Sequence, residues 1–243
     1  QEDYLRILRY LRFFTQYTRF DHDKEVIQFI KQYINGLNKI SKERIFDEIK
    51  KILSLKNIYN LFLNDQSKEI ILNIFPQFKF YHRLKNFNNL DKKLKDRYDY
   101  KMILALLIVD HTDNCDFFCY KYKTSNDIIN KFHNITKNIE NFKNKKFYLE
   151  ENLKKSIYFT SKENVSDILL FSKCENNKIK DIDLEKLLNY VGSCKIPKFP
   201  ISGDDLKKQG YTSGQALGKK LKFLEEKWIK NNFVLDKNYL KNL

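Results

Sequence analysis

Asp3 and Arg6 stand three residues apart in the segment EDYLRILRYLRFF (2–14), and both side chains are suited to reading a flat polar ligand. In a helix, residues three apart project side by side from one face. A carboxylate accepts hydrogen bonds and a guanidinium donates them in a planar fork, so the pair sets an acceptor beside a donor. Cytosine and adenine offer the complement, an exocyclic amine next to a bare ring nitrogen. Asp3 would take the amine proton while Arg6 donated to cytosine N3 or adenine N1. Guanine and uracil present a carbonyl beside an N–H, the reverse order, and would be disfavoured by about 1–3 kcal/mol per bidentate contact. A helix carrying surface Arg–Asp pairs has the same spacing, so the pattern alone leaves both readings open. Leu5, Leu8, Leu11, Phe13 and Phe14 fill much of the remaining circumference, and Arg9 and Arg12 follow at three-residue intervals, where they hold the helix or contact phosphate.

No other segment carries a comparable set. Neighbouring acids occur in DHD (21–23), in DID (181–183) and at Asp204–Asp205, but none follows a Gly-Ser pair or sits in a β-hairpin pattern, and they read as turn and cap residues. The histidines, including His22 beside Asp23 and His111 beside Asp110, lack the spacing of metal ligands. Cys115, Cys119, Cys174 and Cys194 form no paired CxxC units and read as reduced thiols of a cytosolic protein. GQALGKK (214–220) fails as a phosphate loop, because Ser213 stands where the first glycine is needed and Lys220 where Ser or Thr is needed. Neither a catalytic residue nor a metal ligand is assigned within the chain.

The elements that must position Asp3 and Arg6 are helical. The 243 residues include only 6 Gly and 3 Pro, and 42% are hydrophobic, enough for a sizeable core without disulfides. Amphipathic spacing predicts helices over 2–19, 24–34 (ending near Gly36), 40–53, 56–64, 67–74, 78–88, 91–109, 124–140, 146–155, 163–174 and 183–191. Ser41 is the expected N-cap of the third, with Asp47 and Lys51 as an i,i+4 pair. The composition shifts at 192, where two of the prolines and five of the glycines gather; Ser202 with Asp205 resembles a capping box, Gly210 a helix stop, and Thr212 with Gln215 a new start. Three blocks result: 1–55, 56–191 and 192–243. No apolar run reaches the ~18 residues of a membrane span.

Lys and Arg outnumber Asp and Glu by 46 to 31, a formal charge of +15 that attracts polyanions. Lys92, Lys93 and Lys95 with Arg97, then Lys143, Lys145 and Lys146, then Lys207, Lys208, Lys219, Lys220 and Lys222 are candidate phosphate contacts.

Glu2, Asp3 and Arg6, with Arg9, Arg12 and Phe13, resemble the EDxxR motif and its trailing RxxRF in class II tRNA nucleotidyltransferases and bacterial poly(A) polymerases. SKERIFDEIKKIL (41–53) is similar to that family's ERxxxE helix, with Glu43, Arg44 and Glu48 in the matching places, and 199–233 resembles its tail segment. Residues 56–191 match only in helical character and rough length. The resemblance implies an all-α neck, body and tail of a CCA-adding enzyme, which extends the 3′ end of tRNA with C, C and A from CTP and ATP. It implies that Glu2, Asp3, Arg6, Arg9 and Arg12 bind nucleotide, that Glu43, Arg44 and Glu48 brace the neck, and that the body and tail lysines grip the acceptor arm of tRNA by backbone and shape. In the family order of head, neck, body and tail, this chain begins at the neck. The expected head of the same polypeptide would carry the paired carboxylates and Mg2+, so the chain alone would be inactive. No DNA or membrane partner is expected, and the expected compartment is the bacterial cytoplasm, with the mitochondrion as the alternative. A poly(A) polymerase shares every motif, and a non-catalytic helical RNA-binding module remains the reading from another class.

Overall fold

The computed structural model describes residues 2–17, 21–176 and 178–234; the side chains of Glu2, Asp3 and Phe142 lie outside the described set. Among the described residues all regular structure is helical, and the chain divides into two compact units. The first comprises 1–144 with 166–188, and the second 145–165 with 189–243.

The first unit opens with α1 (Glu2–Tyr17), α2 (Lys24–Tyr33), a 3-10 turn over Ile34–Lys39 and α3 (Lys42–Leu53). Then come α4 (Asn60–Leu63), α5 (Asp65–Ile74), α6 (Arg83–Asn88), α7 (Lys92–Lys95), α8 (Tyr100–Ile108), α9 (Asn114–Tyr122) and α10 (Asn126–Asn138). Side-chain oxygens start five of them: Asp23 accepts from the Glu25 and Val26 N–H groups, Ser41 from Arg44, Asn64 from Ser67, and Asp91 and Asp99 from Leu94 and Met102. The expected single helix over 91–109 is therefore two, because the Asp99 carboxylate caps a new start where the ladder would have continued. The i,i+4 pair expected at Asp47–Lys51 is replaced by two i,i+3 pairs, Asp47–Lys50 at 2.9 Å and Glu48–Lys51 at 3.1 Å. Helix α9 was not expected; its buried residues Asn114, Cys115, Phe118, Cys119 and Tyr122 do follow helical spacing, with cysteine serving as a small apolar residue.

α8 lies at the centre, with every residue from Met102 to Ile108 buried. Its C-terminal carbonyls are therefore out of reach of water and need protein donors. Arg83 donates to the Leu106 and Val109 carbonyls at 3.2 and 2.8 Å, and Asn114 donates to Ile108 at 2.7 Å. The Arg83 guanidinium lies over the Phe80 and Phe171 rings and pairs with Glu175; burial depresses its pKa against the pull of that carboxylate.

The second unit contains α11 (Glu150–Phe159), about four residues later than spacing suggested, and, after α12 (Lys162–Asn176) and α13 (Asp181–Ser193), which contribute to both units, α14 (Gly203–Lys208) and α15 (Gln215–Lys230). Ser202 and Asp205 form the expected capping box. Gly210 ends α14 at φ 93°, and Gly214, at φ 127°, rather than Thr212, is the N-cap of α15. Leu206 packs with Ile201 and Leu224, and Trp228 sits among Tyr158, Phe199 and Phe233 with centroids 5.0–5.8 Å away.

Gly36 in the 3-10 turn has no unusual φ but admits the Tyr4 ring, which a Cβ there would overlap. Gly36→Ala should lower stability by about 1–3 kcal/mol in urea unfolding, through overpacking against Tyr4; an unchanged midpoint would show that the ring moves aside freely.

Candidate functional site

The helical repeat sorts the α1 arginines onto different surfaces. Three residues turn the helix about 300°, so each successive arginine falls about 60° short of the one before. Leu5, Leu8 and Leu11 face inward with at most 4% exposure, Arg12 lies at the edge of that face, Arg9 beyond it, and Arg6 is exposed on the far side. The three do not form one stripe.

Glu48 on α3 holds the inner edge. Its side chain is 2% exposed, and Arg12 Nε donates to Oε1 at 2.6 Å while Lys51 Nζ lies 3.1 Å and Arg9 Nε 4.0 Å from Oε2. A buried carboxylate is stable only when charged donors surround it, and here two come from α1 and one from α3 itself. Leu8 and Leu11 on α1 and Ile49 and Ile52 on α3 are buried where the two helices pack, and with the ion pairs this fixes the rotation of α1 about its own axis. Arg12 also lies 4.2 Å from the Phe13 ring centroid.

Arg6 lines a groove of about 480 Å³ between α1 and α2. Tyr4 and Tyr10 enter from α1, and Val26, Phe29 and Tyr33 from α2, where spacings of three and four keep them on one face. Phe29 is 59% exposed and its ring centroid is 4.5 Å from that of Tyr33. Tyr10 Oη lies 2.8 Å from His22 Nδ1, and Ser67 Oγ lies 2.6 Å from His22 Nε2; burial lowers the histidine's pKa. The groove thus offers a cation among aromatic faces, a setting in which a planar ring can stack and accept a hydrogen bond. Its aromatic residues were not singled out in the sequence, although Val26, Phe29 and Tyr33 show the helical spacing.

The other candidate residues are dispersed. Glu43 is exposed and pairs with Lys123 at 3.0 Å, just past α9; a backbone hydrogen bond and then Lys123 lower its pKa. Arg44 is exposed, with its backbone N–H on the Ser41 cap. In the first unit Lys92 and Arg97 are exposed, Lys95 is half-buried and Lys93 pairs with Glu185 at 3.1 Å. In the second, Lys207 pairs with Asp204 at 3.0 Å, Lys208, Lys219 and Lys222 are exposed, and Lys220 lies over the Tyr211 ring. The acid pairs are structural: Asp23 and Asp205 cap helices, and Asp181 pairs with Lys173 at 2.7 Å. All four cysteines are free and buried.

Glu48→Gln should lower stability by about 3 kcal/mol in chemical unfolding, since it leaves two arginines without their buried counter-charge. Glu43→Gln, on an exposed pair, should leave the midpoint where it is. Equal effects of the two substitutions would contradict the assignment of the α1–α3 clamp to Glu48.

Residues 95–243 match the family model for tRNA nucleotidyltransferase domain 2, and residues 19–81 match one described as "Probable RNA and SrmB- binding site of polymerase A". CCA tRNA nucleotidyltransferase 1, mitochondrial, of Homo sapiens is similar at 29% identity, over 99% of this chain and 54% of that protein. A Thermotoga maritima CCA-adding enzyme complexed with tRNA shares the fold at TM-score 0.62 and 18% identity, over 99% of this chain and 60% of its own. A CCA-adding enzyme in complex with ATP gives TM-score 0.64 at 18% identity, over 99% and 59%. The chain spans about half the length of the curated relatives it matches. With more than half of its residues inside the first of these family models and an all-helical fold shared with solved members, the chain belongs to the tRNA nucleotidyltransferase family.

Proposed function

We propose that this chain is the nucleotide-selecting and tRNA-holding portion of a CCA-adding enzyme. The observation that carries the reading is Arg6, exposed on a helix whose rotation is fixed by Glu48 and lining a groove walled by aromatic rings. Arg6 donates to the bare ring nitrogen of cytosine or adenine, and Asp3, one turn earlier, accepts from the exocyclic amine. GTP and UTP would set donor against donor and acceptor against acceptor. Arg12 and Arg9 act through Glu48 and set the angle at which Arg6 is presented. Glu43 and Arg44 stand apart from that brace: Glu43 pairs with Lys123 and Arg44 is exposed. The exposed lysines and Arg97 of the two units serve the tRNA acceptor arm by contacting phosphates, with little base reading.

Among the described residues, those present do not fit a catalytic magnesium site. Among the described residues no group of three or more His, Cys, Asp or Glu is placed to hold a metal ion, and Asp23, Asp181 and Asp205 are engaged as caps and ion pairs. The reading therefore assigns Mg2+ and the transfer step to the family's head domain, and base selection to this chain. The names of the relatives, with CTP or ATP and with tRNA in the solved complexes, support the substrate classes, and the mitochondrial name of the mammalian protein supports the mitochondrial alternative for the compartment. A poly(A) polymerase is the second reading, favoured by the polymerase A description matched at 19–81.

In an active nucleotidyltransferase carrying this chain, Arg6→Ala should reduce the preference for CTP and ATP over GTP and UTP by about 10- to 100-fold, the effect of one bidentate contact. Affinity for tRNA should change less than about twofold, since Arg6 is assigned to the nucleotide. Equal loss of selectivity and tRNA binding contradicts the role. The same enzyme, given CTP, ATP and a tRNA lacking its 3′ end, should stop after one A; continued A addition would favour the poly(A) reading.

A further inference from the structure

A second hollow in the first unit has different chemistry. Its volume is about 140 Å³, and its wall includes Asn35 and Asn38 of the 3-10 turn, Lys42 at the start of α3, Asn73 near the end of α5, and Lys121 and Tyr122 at the end of α9. Two lysines and three asparagines thus line one small hollow from four segments far apart in sequence. Among the described residues neither lysine has an ion-pair partner, and the three asparagine amides have no hydrogen-bond partner. Glu43, adjacent to Lys42 in sequence, is taken up by Lys123. The Tyr122 ring lies 5.3 Å from the Lys121 ammonium. Lys42 is also the first residue of α3, so the positive end of a 12-residue helix adds to the field. Burial, and then the charge of Lys42, hold Lys121 below its ordinary pKa. The lining is positively charged and includes no acidic residue; its two lysines are half-buried and its three asparagines exposed.

We propose that this hollow binds a phosphate group, with Lys42 and Lys121 supplying charge and Asn35, Asn38 and Asn73 supplying neutral donors. Point charges from lysine with donors from several directions suit a tetrahedral anion; a planar carboxylate is better served by the fork of an arginine, and none lines the hollow. The phosphate is either an RNA backbone phosphodiester or a free phosphate. The RNA source rests on the tRNA-holding reading above, whereas phosphate binding itself does not.

Lys42→Gln/Lys121→Gln is compared with Lys56→Gln/Lys137→Gln, which removes the same charge from exposed positions outside the hollow. For a tRNA lacking its 3′ end, the slope of log affinity against log salt should become shallower by about 1 in the first variant and stay unchanged in the second. In the unmodified protein, the side-chain amide NMR signals of Asn35, Asn38 and Asn73 are followed while inorganic phosphate is added. A salt slope altered only in the hollow variant supports an RNA phosphate at this site. An unaltered slope with asparagine signals that shift and saturate supports the hollow with free phosphate as its source. Asparagine signals indifferent to phosphate, together with slopes that are unaltered or fall equally in both variants, overturn the proposal. If the protein binds no tRNA yet the asparagine signals respond, the tRNA-holding reading fails and the phosphate site stands.

Discussion

The buried carboxylate of Glu48 is the constraint on which the candidate site depends. An ionised group with 2% exposure must be met by cations, and Arg12 and Arg9 can meet it only when α1 lies against α3 with one rotation about its axis. Rotation by one residue, about 100°, would take Arg12 away from Glu48 and turn Leu8 and Leu11 out of the core. The ion pairs of Arg12 and Arg9 with Glu48 select the register. Arg6 inherits its position from that selection: fixed on the outer face, at the wall of the α1–α2 groove, without touching α3's carboxylate.

The groove itself is held by contacts of another kind. Gly36 leaves room for the Tyr4 ring, and the chain from Tyr10 through His22 to Ser67 ties α1 to the start of α5. His22 is buried, and that burial lowers its pKa. Phe29 and Tyr33 remain on the open side of α2. An arginine framed by rings is suited to a flat ligand carrying an acceptor, and the neighbouring acid in sequence, Asp3, supplies the second half of the recognition proposed for cytosine and adenine.

How much of this the sequence foretold varied with the range of the interaction. Local signals were legible: the Ser41 cap, the Ser202–Asp205 box, the glycine stops and the all-helical character follow from interactions within four residues. The motif around Glu43, Arg44 and Glu48 drew attention to α3, but the partner of Glu48 lies 36 residues earlier, and spacing alone does not pair them. The three-residue arginine interval looked like a stripe and is instead a precession around the helix. The run 91–109 read as one helix because its apolar spacing is continuous, while Asp99 could act as a cap or as a surface acid and only the packing of α8 decides which. The hollow of Lys42 and Lys121 had no sequence signature, since its walls come from segments as far apart as Asn35 and Tyr122.

The central claim is that Arg6 reads the Watson–Crick edge of an incoming base by donating to its bare ring nitrogen. The most direct measurement is a titration of the Arg6 Nε–H resonance with each of the four nucleoside triphosphates in the assembled enzyme. The account predicts a shift to lower field on adding CTP or ATP and none on adding GTP or UTP. The same response to all four, or to none, would contradict it.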